Sequence, residues 1–196
     1  MADRQTLDIY DAKSADYAAR AGTDEEHTSL TAFMASLPNG AHVLDLGCGP
    51  GHLAARMISH GFSVDPVDAS AGMVAHAIKE NSVPARMARF DDIDADAEYD
   101  GIWASFSLLH APKSDFPEHL GRLHRALKPG GLMFLGMKLG EGEARDALGR
   151  FYAYYSEGEL TDHLQKAGFN VAAQKTGAGT GLAGTLEPWS LITAHA

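Results

Sequence analysis

The sequence predicts an α/β fold with a doubly wound sheet of seven strands, mostly parallel and with an antiparallel last strand. Short apolar runs typical of strands alternate with amphipathic helical patterns, which indicates a parallel sheet covered on both faces. A glycine-rich turn follows the first apolar run, and no helical pattern separates the last two. The seven predicted strands cover residues 42–46, 62–67, 85–90, 99–106, 132–137, 169–175 and 188–194.

Helical patterns precede the first strand and fill the intervals between the others. Residues 3–36 are expected to be helical with a break near Gly22, after which Thr23 or Asp24 caps a second helix. We expect one domain, in which residues 1–40 form capping helices on an α/β core made of residues 41–196. The helices of the core are predicted over residues 52–60, 71–80, 115–127 and 156–168, the last opened by a capping box of Ser156 and Glu159.

The composition limits the class of protein and its partners. Among 196 residues, 26 acidic and 16 basic side chains give a formal net charge of −10, which disfavours a nucleic-acid backbone as partner. The single cysteine, Cys48, leaves no internal disulfide framework and fits a reducing cytoplasm. The sequence shows no membrane-spanning run, no secretory signal and no metal-ligand spacing among its histidines. We therefore expect a cytoplasmic monomer or homodimer with a small-molecule substrate and no metal.

The glycine run between the first strand and its helix indicates a ligand site. Gly47, Gly49 and Gly51 allow a tight turn and a close approach of the backbone to a ligand. A dinucleotide fingerprint needs glycine where His52 stands, so a pyrophosphate is disfavoured. Asp68, 17 residues after Gly51, ends the second strand, where a carboxylate suits the hydroxyls of a ribose. The pattern predicts a nucleoside-containing ligand, with a plain turn and a solvated carboxylate as the structural alternative.

Six segments occur along the chain in a characteristic order. They are Val43–Gly51, Val67–Ser70, Phe90–Ile93, 99–110, Leu127–Gly131 and Tyr155–Phe169. Together they resemble the motifs of the class I S-adenosylmethionine-dependent methyltransferases. The resemblance covers about the whole chain and implies a Rossmann-like fold, S-adenosylmethionine as cofactor and methyl transfer to a small molecule. Residues 107–110 and 138–143 further resemble the small bacterial tellurite-resistance-type branch of that superfamily.

The resemblance also implies roles for individual residues. Asp45 would lie near the amino group of the cofactor's methionine part, beneath which the three glycines would pass. Asp68 would accept hydrogen bonds from the ribose hydroxyls, and Ser105 would border the sulfonium and the acceptor. The residues expected around the adenine are Ala69, Met73, Phe90 and Asp91, with Asp92 as the alternative to Asp91 for the exocyclic amine.

Candidate catalytic groups follow the fourth strand and flank the core. His110 is the candidate general base because imidazole titrates near neutral pH, although a packing histidine is the alternative. Tyr10 and Tyr17 could set aromatic faces beside a cationic sulfonium, or could be plain packing residues. The segment 138–155 is expected at the pocket mouth, where Arg150 and Tyr152 are the first residues to test.

Two other functions share parts of this pattern. A sensor or scaffold protein that binds S-adenosylmethionine without catalysis would keep the glycine run and lack an open acceptor pocket. An NAD(P)-dependent oxidoreductase would share the nucleoside site, but the position of the third glycine argues against it. The charged and aromatic stretch 138–155 favours the enzyme, and no motif identifies the methyl acceptor.

Overall fold

The structure is a computed structural model that describes residues 3–19 and 23–196. Met1, Ala2 and the predicted break at Gly22 therefore lie outside the described residues. The helices are α1 (Arg4–Ala12), α2 (Ser14–Ala18), α3 (Asp24–Ala35), α4 (His52–Ser59), α5 (Ala71–Asn81), α6 (Phe116–Ala126) and α7 (Glu157–Lys166). The strands are β1 (His42–Leu46), β2 (Ser63–Asp68), β3 (Arg86–Met87), β4 (Tyr99–Ser105), β5 (Leu127–Lys138), β6 (Glu143–Arg145), β7 (Phe151–Ala153), β8 (Asn170–Thr180) and β9 (Leu186–His195).

Side chains in the sequence determine where four of the helices begin. Asp3, Thr23, Ser70 and Ser156 each accept a hydrogen bond from the amide three residues further along the chain. The predicted capping box of Ser156 and Glu159 closes in both directions, with hydrogen bonds of 2.8 and 3.2 Å. Of the two caps considered for the helix after residue 22, Thr23 is the one observed. None of the described helices is long and apolar enough to cross a bilayer.

The main sheet has the strand order β3-β2-β1-β4-β5-β9-β8. Neighbouring strands from β3 to β5 pair in parallel, whereas β9 runs antiparallel to both β5 and β8. The predicted sheet of seven strands with an antiparallel last strand is confirmed. Because the strand order reverses beside β1, the carboxyl ends of β1 and β4 border a crevice, which is where such folds bind ligands.

The core lies on both faces of the central strands. Successive side chains of β4 point to opposite faces, so that Ile102 packs in one apolar cluster and Trp103 in the other. The Ile102 cluster includes α6 and α7 through Phe116 and Leu160. On the opposite face Trp103 stacks on Phe134 of β5, with ring centroids 3.9 Å apart, beneath α3 and α4.

The structure differs from the predicted elements in several places, and the segment expected to break near Gly22 also breaks at Lys13, between α1 and α2. The third strand shortens to Arg86–Met87 because it pairs only with β2 at the sheet edge, and Phe90–Asp92 forms a 3-10 turn instead. The segment 138–155, for which no strand was predicted, contains an antiparallel hairpin in which β6 pairs with β7. The last two strands extend into the glycine-rich connection, where β8 reaches Thr180.

Candidate functional site

Two cavities meet at the carboxyl ends of the parallel strands. The smaller encloses about 90 Å³ beside the turn after β1, and the larger encloses about 240 Å³ beside β4, β5 and β9. Tyr10, Tyr17, Ser105 and Phe106 line both. The molecule therefore offers room for two ligands that would touch across a shared wall.

The glycine turn closes tightly on the strand beside it. The amides of Gly47 and Cys48 both donate to the carbonyl of Val67, at 2.8 and 2.9 Å. Gly47 has a φ of +79°, and a Cβ there would lie 2.4 Å from the Cβ of Ser107. A Cβ on Gly51 would lie 2.8 Å from the Cβ of Ala77, so this glycine allows α4 and α5 to approach. Glycine is thus required by contact distance as well as by backbone conformation.

Asp68 joins the glycine turn to the start of α5. Its Oδ2 accepts from the amide of Gly49 at 2.9 Å, and its Oδ1 accepts from the amide of Ser70 at 2.8 Å. Burial raises the pKa of this carboxyl above its ordinary value. Asp68 lines the smaller cavity together with Ala69 and Met73, so acceptor oxygens and apolar contacts lie side by side there.

Asp45 is a buried carboxyl with an unused acceptor. Only 2% of the residue is exposed, and its Oδ2 has no hydrogen-bond partner among the described residues. Burial raises its pKa to about 8, with further contributions from the negative charges of Asp68 and Glu26. Asp45 lines neither cavity itself, but the next two residues, Leu46 and Gly47, line the smaller one. Such a group favours a ligand with a positively charged donor.

Helix α1 covers the smaller cavity and is fixed at both ends. Near its start, the hydroxyl of Thr6 accepts from the amide of Phe151 at 2.8 Å. Near its end, Oδ1 of Asp11 accepts from the hydroxyl of Ser70 at 2.5 Å and from the amide of Gly72 at 2.9 Å. The helix is thus attached to the β6–β7 hairpin on one side and to α5 on the other.

Tyr10 is the centre of a chain of hydrogen bonds. Nδ1 of His110 lies 2.7 Å from the carbonyl oxygen of Phe151, so this nitrogen carries the ring hydrogen. Nε2 is then an acceptor, and the Tyr10 hydroxyl donates to it at 2.8 Å. Arg150 donates to the same hydroxyl at 2.9 Å and forms a buried ion pair with Asp146. Burial lowers the pKa of His110 to about 4, which keeps the imidazole neutral.

The floor of the larger cavity carries a second buried ion pair. Lys138, at the carboxyl end of β5, contacts the carboxylate of Glu187 on β9. The ammonium of Lys138 also lies 3.9 Å from the ring centroid of Tyr152, and the hydroxyl of Tyr154 donates to Glu187 at 3.2 Å. The cation and anion therefore neutralise one another within the cavity wall.

The remaining walls of the larger cavity are mainly aromatic and apolar. They include Phe106, Leu109, Phe134, Trp189 and Leu191. Opposite Trp189 the strand β8 has no side chain at Gly179, where a Cβ would lie 3.2 Å from the indole nitrogen. Phe106, which separates the two cavities, has a φ of +51°, a strained conformation for a bulky residue that is often found at functional sites.

The structure brings together most of the site residues that the sequence predicts. Those that line the smaller cavity are Gly47, Gly49, Asp68, Ala69, Met73, Phe90, Ser105 and His110, with Tyr10 and Tyr17 shared and Arg150 in the larger one. Gly51, which packs against α5, and Asp45, which is buried on β1, line neither cavity. Asp91 is exposed beside His119, and the carboxylate of Asp92 accepts from the amide of Arg89. Neither aspartate lines the smaller cavity, whose edge is instead formed by Ala88.

Sequence reasoning missed several residues of the larger cavity. The spacing of Thr23 and Glu26 fits a capping box, but only half of it forms. The amide of Glu26 donates to Thr23 at 3.2 Å, while its carboxylate accepts from the hydroxyl of Ser105 at 3.0 Å. Trp189 and Glu187 lie on β9. The sequence there shows only an apolar pattern typical of a strand, which does not indicate a functional site.

Comparison with known proteins identifies a family. A family model described as a methyltransferase domain matches residues 19–174. A malonyl-[acyl-carrier protein] O-methyltransferase of Enterobacter lignolyticus is 31% identical over 114 residues, which are 55% of this chain and 44% of that protein. A glycine N-methyltransferase of Rattus norvegicus is 31% identical over 118 residues, or 50% of this chain and 40% of that protein. The chain thus spans less than half of the length of either relative.

Solved structures show the same fold. The 1,6-didemethyltoxoflavin-N1-methyltransferase of Burkholderia thailandensis, with bound 1,6-didemethyltoxoflavin and S-adenosylhomocysteine, superposes with a TM-score of 0.74. The match covers 97% of this chain and 87% of that one at 22% identity. An S-adenosylmethionine-dependent methyltransferase structure from Methanosarcina mazei gives a TM-score of 0.72 at 18% identity. The match covers 82% of this chain and 94% of that one.

Proposed function

This chain belongs to the methyltransferase-domain family, and we propose that it transfers a methyl group from S-adenosylmethionine to a small-molecule acceptor. The pair of cavities that meet at Ser105 and Phe106 carries this proposal. In-line displacement needs a donor and an acceptor held in contact and aligned, and positioning of this kind contributes up to about 7–11 kcal/mol in the best-oriented cases. Two adjoining cavities can hold two such reactants.

The residues of the smaller cavity fit this cofactor by their chemistry. The unused oxygen of Asp45, the residue next to the cavity-lining Leu46, suits the ammonium of the methionine part, and the carboxylate of Asp68 suits the ribose hydroxyls. The turn at Gly47 and Gly49 has no side chain that would keep the backbone from the ligand. The apolar contacts for the adenine come from Ala69, Met73 and Phe90.

Bound S-adenosylmethionine supplies an electrophilic methyl group on a sulfonium. The rings of Tyr10 and Tyr17 meet edge to face with centroids 5.8 Å apart, and both border the two cavities. Aromatic faces attract a cation, so these rings favour the sulfonium at the junction of the cavities and exclude water from it. Ser105 contributes the polar part of the same wall.

His110 acts as a positioning residue in this proposal rather than as a base. Its Nε2 already accepts from Tyr10, and a pKa of about 4 makes it a weak proton acceptor near neutral pH. Arg150 binds the same hydroxyl from the other side. Together these two side chains hold the Tyr10 ring over the cavity junction, which is the role we assign to them instead of the base role that the sequence suggested for His110.

The shape of the larger cavity supports a small acceptor. Its volume of about 240 Å³ lies beneath elements from both ends of the chain, including α3 and the β8–β9 connection. A protein that merely senses the cofactor needs no second cavity, so this space also favours catalysis over a scaffold role. The paired Lys138 and Glu187 leave the floor without net charge.

Two measurements test the proposal. Calorimetric titration should show binding of S-adenosylmethionine and none of NADH, and a screen of small acceptors should yield S-adenosylhomocysteine. Binding of NADH without S-adenosylmethionine would contradict both the cofactor and the function. Tight binding of S-adenosylmethionine with no product from any acceptor would favour the sensor instead.

A further inference from the structure

We propose that Glu26 accepts the proton of the methyl acceptor, and that the acceptor is a planar aromatic compound with a hydroxyl or amine at the reacting position. This inference rests on the proposed function, because it names the acceptor class for the same site. The observations that carry it are the contacts of Glu26, the pairing of the charges around the larger cavity, and the size and composition of its walls.

Glu26 lies where an acceptor would meet the cofactor. It lines the larger cavity on α3, and its Oε1 accepts from the hydroxyl of Ser105 at 3.0 Å. Ser105 borders both cavities, so the carboxylate is held at their junction. Its second oxygen, Oε2, makes no hydrogen bond with any residue in the ranges 3–19 and 23–196. As far as the described residues go, one oxygen is thus fixed by Ser105 and the other faces no protein partner, which suits it to a ligand.

The other glutamates of this cavity already have cationic partners. Glu25 binds Lys175 at 2.7 Å, and Glu187 binds Lys138. Within the described part of the chain, Glu26 forms no ion pair. The second cation of the cavity, Arg150, is paired with Asp146. Among the described residues that line this cavity, an anionic acceptor would therefore meet an uncompensated carboxylate and no unpaired cation, whereas a neutral or cationic hydrogen-bond donor would be complementary to Glu26.

The size and composition of the walls indicate an aromatic ring. A protein cavity of about 150 Å³ holds benzene, so about 240 Å³ admits a substituted single ring or two fused rings. Phe106, Phe134 and Trp189 present aromatic surface to this space, and Gly179 leaves it open on the side of β8. Aromatic pairs contribute about 0.5–1.5 kcal/mol beyond the burial of their area, which favours a flat ring over an aliphatic chain of equal volume.

The proposed step balances without a further reactant. The oxygen or nitrogen of the acceptor forms the bond to the methyl group while its proton passes to Oε2 of Glu26. The bond between sulfur and the methyl carbon breaks, and its electron pair stays on sulfur, which leaves as a neutral thioether. Glu26 ends the step neutral and returns the proton to solvent when the products leave.

The first experiment measures binding on the complex with S-adenosylhomocysteine. The probes are phenol, catechol, 2-naphthol and aniline, each compared by calorimetry with its counterpart methylated at every hydroxyl or amine hydrogen. At least one pair should show the unmethylated member binding about tenfold tighter or more, the value of a hydrogen bond to a charged group. Glu26→Gln should abolish this preference, because the amide retains the contact with Ser105 and loses the anionic acceptor. Equal affinity within every pair, including no binding by any probe, would overturn the inference.

A matched control removes a charge from the same helix. Asp24 lies two residues before Glu26 on α3, is exposed and lines neither cavity. The variant Asp24→Asn should therefore keep the preference for the unmethylated probe. Both variants should bind S-adenosylhomocysteine within about threefold of the unaltered protein, or about 0.7 kcal/mol, which also shows that they fold. A much larger loss in Glu26→Gln would place Glu26 in the cofactor site and overturn its assignment to the acceptor.

The second experiment measures turnover of the best-bound probe. Glu26→Gln should lower kcat by about 100-fold, within the range expected for general base catalysis, and should change the KM for S-adenosylmethionine little. An unchanged kcat would overturn the role of Glu26. Failure of the unaltered protein to bind S-adenosylhomocysteine would overturn the proposed function as well, whereas binding without a preference among probes would remove only this inference.

Discussion

The two cavities are built in different ways. The smaller has at its centre two main-chain turns close together in the chain, after β1 and after β2, which hydrogen bonds of Asp68 connect. Residues of α1 and of the segment 105–110 complete its lining. The larger is lined mainly by side chains from five separated stretches, in the regions 23–26, 105–109, 134–138, 150–152 and 179–191, together with Tyr10, Tyr17 and His52. A main-chain site tolerates little change, while a side-chain site can be altered one residue at a time. We therefore expect substitutions on the cofactor side to have the larger effects.

The largest effect is expected at the closest approach of the backbone. In Gly47→Ala the new Cβ would lie 2.4 Å from that of Ser107, so the turn must move. We expect affinity for S-adenosylmethionine to fall by more than about 100-fold, or about 2.8 kcal/mol, in a calorimetric titration. Gly61→Ala is the matched control, because Gly61 also has a positive φ but nothing within 4 Å of its added Cβ. Gly61→Ala should lose only about 1–2 kcal/mol of stability in urea and keep its affinity for S-adenosylmethionine. Equal affinity in Gly47→Ala and Gly61→Ala would contradict the role of Gly47 in binding.

The next effect is expected at the carboxylate that connects the two turns. Asp68→Asn removes a charged acceptor from the ribose position, and charged hydrogen bonds contribute about 1.5–3 kcal/mol. Affinity for S-adenosylmethionine should fall by about 10- to 150-fold in the same titration. The control is Asp65→Asn. Asp65 lies on the same strand, and its carboxylate binds Arg86 and Tyr99 outside both cavities. Asp65→Asn should lose stability and keep its affinity for S-adenosylmethionine. If Asp68→Asn kept its affinity while Asp65→Asn lost it, Asp68 would have no role in binding.

A pH dependence distinguishes the buried carboxyl beside the glycine turn. With a pKa of about 8, Asp45 carries a proton at lower pH and must release it to bind an ammonium. Affinity for S-adenosylmethionine should therefore fall as pH decreases from about 8 to about 6, by up to about tenfold per pH unit. Calorimetry in buffers of different ionisation enthalpy would detect the released proton. Asp45→Asn should show no such slope, and an identical slope in that variant would assign the proton to another group.

The smallest effect is expected on the acceptor side. Trp189→Leu removes an aromatic wall, which should weaken the binding of 2-naphthol about two- to tenfold, corresponding to about 0.5–1.5 kcal/mol. The affinity for S-adenosylhomocysteine should not change, because Trp189 lines only the larger cavity. Leu186→Ala is a control on the same strand, with 67% of Leu186 exposed. A loss of cofactor affinity in Trp189→Leu would show that the two cavities are not independent.

Local patterns predicted most of the fold and much of the lining of the smaller cavity. Strand and helix periods, caps such as Ser70 and the glycine turn act within a few residues, so they can be identified along the chain. The hairpin of β6 and β7 was missed because three-residue strands carry too short a pattern. The family resemblance of Phe90–Ile93 implied that Asp91, or Asp92 as its alternative, lies at the adenine, but the segment forms a 3-10 turn and neither carboxylate lines the smaller cavity.

The acceptor side could not be predicted to the same degree. Glu26 has the spacing of a helix-capping residue, and only the packing of α3 against the end of β4 turns its carboxylate to Ser105. The sequence suggested His110 as a base, because its position after β4 is visible in the chain. Its neutral state depends on burial and on contacts with Tyr10 and Phe151, which are 100 and 41 residues away.

The sequence by itself determined the α/β architecture and the glycine turn that lines the smaller cavity, because both follow from short-range backbone preferences that leave a pattern in the chain. The tertiary structure decided which charges are paired, which carboxylates lie at the cavity junction and how much space an acceptor has. Those properties depend on distances between side chains far apart in sequence, and on the burial that raises the pKa of Asp45 and lowers that of His110.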